Sequence, residues 1–150
     1  MCKEDCSYGY VPYLPIPADL QGLDLLSTWF EQISEAAMLL SKTSDLVIIN
    51  DIDSFNSWIE IQKSGEQVFI SHIISEKKIG HGALVLKPLS EYINGSWVKQ
   101  PVDVNVFLQE VISKTRTFID ELLSHNKNFL KVSWIEKIMH NINNIEIRRD

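Results

Sequence analysis

The sequence has few cysteines and no long apolar run, and both shortages exclude classes of protein. Cys2 and Cys6 are the only cysteines among 150 residues. Their spacing is not that of a redox Cys-x-x-Cys motif, and two cysteines do not make a disulfide scaffold. No apolar run approaches the roughly 18 residues that a membrane-spanning helix requires, and residues 1–13 contain no signal-peptide pattern. We therefore expect a cytoplasmic protein with reduced thiols and no membrane association.

The motifs of catalysis and cofactor binding are also missing. The sequence contains no Gly-x-Ser-x-Gly nucleophile elbow, no phosphate-binding glycine loop and no His-Glu-x-x-His. Asp51 and Asp53 follow a predicted strand, where two carboxylates can hold a metal, but acidic residues that cap a loop are far commoner. We predict that the protein is not an enzyme and holds no metal or cofactor. Carboxylate pairs that meet only in the fold stay open.

The composition is that of one globular domain. Hydrophobic residues make up 45% of the chain and charged residues 23%, which is ordinary for a soluble domain. A chain of this length buries enough surface to need no disulfide or metal for stability. We predict a single domain over residues 1–150, in which proline-rich residues 1–18 are extended.

Negative charge is concentrated in the N-terminal third. The net charge is −6; residues 1–56 carry −7 and residues 57–150 carry +1. An acidic surface disfavours nucleic-acid binding, because phosphates require cations, and it suits a basic protein partner that is attracted electrostatically. Simple solubility is the alternative explanation for this charge.

Hydrophobic periodicity predicts an α+β fold. In chain order we expect a helix over 24–41, a buried strand over 45–50, a hairpin within 56–73, strands over 82–87 and 96–102, and helices over 103–125 and 133–142. Asp103 is the predicted N-cap of the strongly amphipathic second helix, and Ser133 and Glu136 have the spacing of a capping box. This order predicts an antiparallel sheet of about four strands, on which an N-terminal helix and two C-terminal helices pack.

The hairpin "NSWIEIQKSGEQVFISHI" carries apolar side chains on both faces. With Ser64 and Gly65 as the turn residues, Ile61 pairs with Val68, and this aliphatic face is the predicted core. The other face carries Trp58 and Phe69, together with Glu60. Aromatic side chains among polar ones are typical of interface centres, unless the first helix or the N-terminal segment covers them.

Part of the chain resembles a known family. The hairpin "WIEIQKSGEQVFISHI", the strand near "GSWVKQPVDV" and the helix "VNVFLQEVISKTRTFIDEL" resemble the small immunity proteins of bacterial polymorphic toxin and contact-dependent growth inhibition systems. The resemblance covers about residues 55–125. It implies a protein that neutralises a cognate toxin, often a nuclease with a basic cleft, by covering the toxin's active site. Such families share no catalytic motif, so no functional residue is transferred.

Under this hypothesis the partner is a basic protein toxin, and acidic and aromatic side chains form the contact surface. The predicted partner-binding residues are Glu31, Glu35, Asp51, Asp53, Trp58, Glu60 and Phe69. Two other classes stay open. One is a small-ligand-binding or enzymatic α+β domain with a pocket between sheet and helices, and the other is a homodimeric subunit joined through the Trp58–Phe69 face.

Overall fold

A computed structural model of the chain describes residues 23–50, 56–75 and 84–147. In chain order the elements are α1 (Leu23–Lys42), β1 (Leu46–Asn50), β2 (Ser57–Ser64), β3 (Gln67–Ile74), β4 (Ile93–Asn94), β5 (Gln100–Asp103), α2 (Val104–His125), a 3-10 helix (Lys127–Lys131) and α3 (Ser133–Asn143). The predicted α+β fold is confirmed. The predicted extension of residues 1–18 lies outside the described residues, as do Cys2 and Cys6.

All pairs in the sheet are antiparallel. β1 pairs with β2, β2 with β3, and both β4 and β5 pair with the remaining edge of β3. Of the predicted strand over 96–102, residues 100–102 form part of β5, whereas residues 96–99 belong to the loop Gly95–Lys99; β4 precedes the predicted range. Lys99 has a φ of +46°, a left-handed conformation that interrupts regular pairing. Of the predicted strand over 82–87, the described part makes one bridge, between Val85 and Ile48 of β1.

The hairpin register differs from the predicted one by two residues. Ser64 pairs with Gln67, so that Gly65 and Glu66 are the two turn residues. Gly65 has a φ of +61°, whereas Glu66 does not have a positive φ. A positive φ at the first turn position alone is the pattern of a type II′ turn, which favours glycine there. Because the shift is even, every side chain stays on its predicted face.

The main core lies between the helices and one face of the sheet. Val47 and Ile49 of β1, together with the aliphatic face of the hairpin, pack against α1 and the first half of α2. The buried residues of this cluster are Ala36, Ala37, Leu40, Val47, Ile49, Ile61, Val68, Phe107, Leu108 and Val111. This packing confirms the prediction that the aliphatic face of the hairpin is core.

The capping predictions for α2 and α3 have different outcomes. Asp103 is the N-cap of α2, and its Oδ1 accepts a hydrogen bond from the Val106 amide at 3.0 Å. The predicted capping box at Ser133 is wrong, because α3 follows the 3-10 helix directly and Val132 is its N-cap, with no side-chain hydrogen bond. The Val132 carbonyl instead accepts from the amides of Ile135 and Glu136.

A second apolar cluster joins the three helices beyond the sheet. Phe118 stacks on Phe30 of α1 with ring centroids 4.2 Å apart, and it also contacts Trp134 of α3. Asn141 of α3 donates to the hydroxyl of Ser34 on α1 at 3.1 Å, and both residues are buried. A satisfied buried polar contact of this kind sets how one helix lies against another.

The back face of the sheet, which points away from the helices, is covered over half its length. Trp58, Ile48 and Ile73 are fully buried there with Leu89, and Val85 packs against them. The Trp58 indole N–H donates to the Ser75 carbonyl at 3.3 Å. Among the described residues, the segment that contains Val85 and Leu89 covers Trp58, and no described helix contributes to this cluster.

The burial of Trp58 gives a testable difference between two tryptophans. Trp58→Ala opens a cavity in a closed cluster, and we expect it to cost about 3–5 kcal/mol of unfolding free energy. Trp97→Ala truncates a side chain that is 36% exposed, and we expect a cost of about 1 kcal/mol or less. Urea unfolding of both variants measures these costs. Equal costs for the two variants would contradict the packing described.

Candidate binding surface

The two acidic residues predicted on α1 are paired within the fold. The Lys137 ammonium on α3 lies 2.6 Å from a carboxylate oxygen of Glu31 and 3.0 Å from one of Glu35. Hydrogen bonding to Glu31 is the largest cause that raises the pKa of Lys137, partial burial opposes it, and Glu35 adds to it. Both carboxylates therefore hold α3 on α1, which is a structural role that the sequence analysis missed.

Two other predicted contact residues, Asp51 and Asp53, lie outside the described residues. The prediction that Trp58 contributes to a contact surface is wrong, because its side chain is 0% exposed. The sequence indicated an aromatic residue on the second face of the hairpin, and Trp58 does lie on that face. What it could not indicate is that a segment about 30 residues further along the chain, which contains Leu89, covers it.

Glu60 and Phe69 are the predicted contact residues that the structure brings together on an accessible surface. Both are half-buried and lie on the half of the back face that is not part of the Trp58 cluster. In the observed register Glu60 pairs with Ser71 and Phe69 pairs with Gln62, so that Glu60 and Phe69 are diagonal neighbours. We call this surface the open half-face; its residues are Glu60, Gln62, Phe69, Lys99 and Pro101.

The carboxyl group of Glu60 is in an unfavourable environment for its charged form. On β1 its direct neighbour is Ile48, which is buried, and on β3 it is Ser71, also buried. Desolvation by this burial raises the pKa of Glu60, and the nearby charge of Lys99 partly lowers it. A carboxylate with a perturbed pKa on an accessible surface is a candidate for binding.

A second accessible surface lies where β3 meets the edge of the sheet. Four large apolar residues between positions 92 and 98 are 36–66% exposed. We call this surface the edge patch; its residues are Tyr92, Ile93, Trp97 and Val98. None of these four residues is among the contact residues predicted from the sequence. The glycine and the proline at the two ends of "GSWVKQP" indicate a loop that exposes its side chains.

His72 of β3 holds the edge patch in place. Its backbone N–H donates to the Trp97 carbonyl at 2.9 Å, and its carbonyl accepts from the Gly95 amide at 2.8 Å. On the ring, Nδ1 accepts from the Ser96 amide at 3.0 Å, and the Trp97 ring lies 5.6 Å away. Four contacts from one residue thus fix the loop Gly95–Lys99, which carries Trp97 and Val98 of the patch.

Gly95 is required by this close approach. A Cβ atom at position 95 would overlap the imidazole of His72, lying 2.5 Å from Cγ and 2.6 Å from Cε1. The glycine therefore lets the loop backbone contact the ring directly.

The same hydrogen bonds bear on whether Ser57 can act as a nucleophile. Ser57 Oγ lies 2.8 Å from Nε2 of His72, which is the spacing of a nucleophile and its base. Because Nδ1 accepts the Ser96 N–H, the proton of the neutral ring is on Nε2, which then donates to Ser57. A general base needs the opposite tautomer, so this pair is a structural cross-link.

A cleft of about 830 Å³ opens beside β4. It is lined by Asn56, Ile74, Ser75, Ser90, Glu91, Tyr92 and Ile93. The perturbed carboxyl of Glu60 is not part of it, and a ligand site usually combines a pocket with such a group. Two of the residues that line the cleft, Tyr92 and Ile93, also belong to the edge patch.

The described ranges contain neither a metal-binding cluster nor a membrane-spanning helix. Across residues 23–50, 56–75 and 84–147, no three His, Cys, Asp or Glu side chains come together as a metal site. In that same part of the chain, no helix combines the length and apolar character needed to cross a bilayer.

Comparison with known proteins yields no relative. No family model matches the sequence, and neither the curated proteins nor the solved structures contain a significant match.

Removing Lys137 should weaken the contact between α1 and α3. Lys137→Met leaves two carboxylates one turn apart without their cation, and at pH 7 we expect a loss of about 1 kcal/mol or less, because the pair is partly exposed and screened. Since the folded pKa of Lys137 is raised, its stabilisation is complete below the ordinary lysine pKa and is lost as the pH rises through the folded value.

Urea unfolding of the wild type and the Lys137 variant at pH 7 and near pH 11 measures this effect. Lys127→Met, which changes an exposed lysine of the 3-10 helix, is the matched control and should be neutral. A difference between wild type and Lys137→Met that stays constant into the alkaline range would contradict the ion pair.

Gly95→Ala should displace the edge patch. The added methyl group forces the loop away from His72, and we expect a cost of about 1–3 kcal/mol, typical of overpacking. Ser96→Ala is the control, because it retains the hydrogen bond from the backbone N–H of residue 96 to Nδ1 of His72. Urea unfolding gives the cost, and amide hydrogen exchange at Ser96 and Lys99 reports loosening of the loop. Equal stability of the two variants would show that the close approach does not matter.

Proposed function

We propose that this chain is a binding protein of the immunity type, which neutralises a cognate toxin by covering the toxin's active site and catalyses no reaction itself. The observation that carries the proposal is the edge patch. Four large apolar side chains are exposed within seven residues at one edge of the sheet, and two of them, Trp97 and Val98, lie on the loop that His72 holds by hydrogen bonds.

A patch of this kind is suited to protein binding. Exposed apolar side chains that occur together, as opposed to singly, mark interaction sites. Tyrosine and tryptophan are enriched among the residues that dominate binding energy. The hydrogen bonds of His72 to the loop also mean that little conformational entropy is lost on binding, which favours affinity.

The patch lies within the region that resembles immunity proteins. The resemblance covers about residues 55–125, and that region includes the hairpin, both edge strands and α2. Such proteins act in the cytoplasm by occluding their toxin. A nuclease toxin presents a basic cleft, and the net charge of −6 would accelerate association with it.

Docking through side chains is better supported than addition of a strand. β4 has only two residues, Pro101 in β5 has no N–H to donate, and Lys99 is in a left-handed conformation. Short edge strands, proline and lysine are features that discourage pairing with another strand. The partner therefore meets the side chains of the edge patch.

The two alternative functions have less support. A homodimer joined through the Trp58–Phe69 face would lack the larger of the two aromatic side chains at its interface, because Trp58 is buried. An enzyme or small-ligand site would be favoured by a cleft that contains a perturbed titratable group, and Glu60 is not among the residues that line this cleft.

Calorimetric titration with the purified product of the adjacent upstream gene tests the proposal. We expect Trp97→Ala to weaken binding by about 30-fold or more, as for a central interface residue. Val106→Ala is the matched control: Val106 is apolar and 51% exposed, but on α2, and its truncation should change affinity by less than about twofold. Absence of binding by the wild type at both low and high salt, or equal binding by the two variants, would overturn the proposal.

A further inference from the structure

The open half-face contains a carboxylate without an ion-pair partner. Among the described residues, no lysine, arginine or histidine nitrogen lies within 4.0 Å of the Glu60 carboxylate, although four such pairs form elsewhere. Lys99 is near enough to influence Glu60 electrostatically, but it does not form a salt bridge with it. Its backbone N–H donates instead to the Ser71 hydroxyl at 2.9 Å.

An aromatic ring lies next to this carboxylate. Phe69 is the diagonal neighbour of Glu60 across the β2–β3 pair, a separation that aromatic and long side chains span. Pro101 of β5 lies directly opposite Phe69 on the far side and is exposed. The surface thus offers one negative charge beside the face or edge of a ring, with an apolar border.

We propose that the open half-face binds an arginine side chain of a partner protein, with the guanidinium paired to the Glu60 carboxylate and stacked on the Phe69 ring. The identification of that partner as a basic toxin rests on the proposed function, but the site itself does not. Lys99, which belongs to this surface, directly follows Val98 of the edge patch in the sequence.

Arginine fits this surface better than lysine. Its planar guanidinium forms two parallel hydrogen bonds to a carboxylate and stacks on an aromatic ring at the same time. A lysine ammonium is a compact, strongly hydrated charge that has no plane to stack and loses more hydration on a partly apolar surface. Burial of Glu60 against Ile48 strengthens the pairing, because the charges then interact in a medium of lower dielectric constant.

Lys99 should oppose the bound cation. Its ammonium acts on the same carboxylate, so that it competes electrostatically with an arginine from outside. Removal of this charge should therefore strengthen binding of the arginine, whereas a purely structural role of Lys99 predicts no change. A gain in affinity on removal of this charge would place the bound cation close to Glu60 and Lys99, and the comparison with lysine and with Phe69→Leu separates a specific arginine site from a merely acidic surface.

Titration of the isotope-labelled protein with N-acetyl-arginine amide, followed by NMR, tests the proposal. We expect saturable shifts of the Phe69 ring and of the amides of residues 60, 69 and 71, with N-acetyl-lysine amide at least about threefold weaker. Glu60→Gln should weaken arginine binding about tenfold, Phe69→Leu should also weaken it, and Lys99→Ala should strengthen it about two- to threefold.

Glu91→Gln is the matched control. Glu91 is exposed and precedes an exposed aromatic residue, Tyr92, but it lies outside the open half-face, and its substitution should leave the arginine shifts unchanged. The fold of Glu60→Gln is checked by urea unfolding. Because desolvation raises the pKa of Glu60, its charge is destabilising above the ordinary glutamate pKa, and the variant should be at least as stable as the wild type at pH 7.

Two results would overturn the inference: the absence of shifts at Phe69, or shifts that are the same in Glu60→Gln and wild type. Either failure is separate from that of the proposed function. If the protein binds arginine here but does not bind the product of the upstream gene, the arginine site is upheld and the proposed function is rejected. If it binds that product and Glu60→Gln has no effect, the proposed function is upheld and the arginine site is rejected.

Discussion

The turn at Gly65 determines where every other accessible feature of the sheet lies. Its positive φ makes it the first turn residue, and this choice sets the pairing of β2 with β3. That pairing puts Glu60 beside Phe69 on one face and brings Ser57 within hydrogen-bond distance of His72 on the other. β3 also pairs with β4 and β5, so the β2–β3 register sets which residues of β2 are aligned with these two strands. One glycine thus governs both candidate surfaces.

Local patterns were sufficient to predict the helices and the two faces of the hairpin. The stripe of α2 and its Asp103 cap could be predicted because periodicity and capping depend on neighbours in sequence. The register was missed by two residues, since Ser64-Gly65 and Gly65-Glu66 are both possible turns and the choice depends on backbone conformation. The burial of Trp58, the pairing of Glu31 with Lys137 and the contact of Gly95 with His72 all join distant parts of the chain, and no local pattern contains them.

The net charge of a segment does not show which of its carboxylates are engaged within the fold. The N-terminal third is acidic, but Glu31 and Glu35 share an ion pair with one lysine from the last helix. Glu60, in a segment of nearly zero net charge, is the carboxylate that the fold leaves half-buried and without an ion pair among the described residues. For recognition, the environment of a single carboxylate matters more than the net charge of the segment that contains it.

The contact between Gly95 and His72 also orders events during synthesis of the protein. The groups that hold the loop, the His72 ring and backbone, are translated more than twenty residues before the loop itself. The strand that positions this loop is therefore translated before the loop itself. A nascent chain that ends before residue 92 contains the whole hairpin, with Glu60 and Phe69, but none of the edge patch, so the two candidate surfaces are completed at different stages of synthesis.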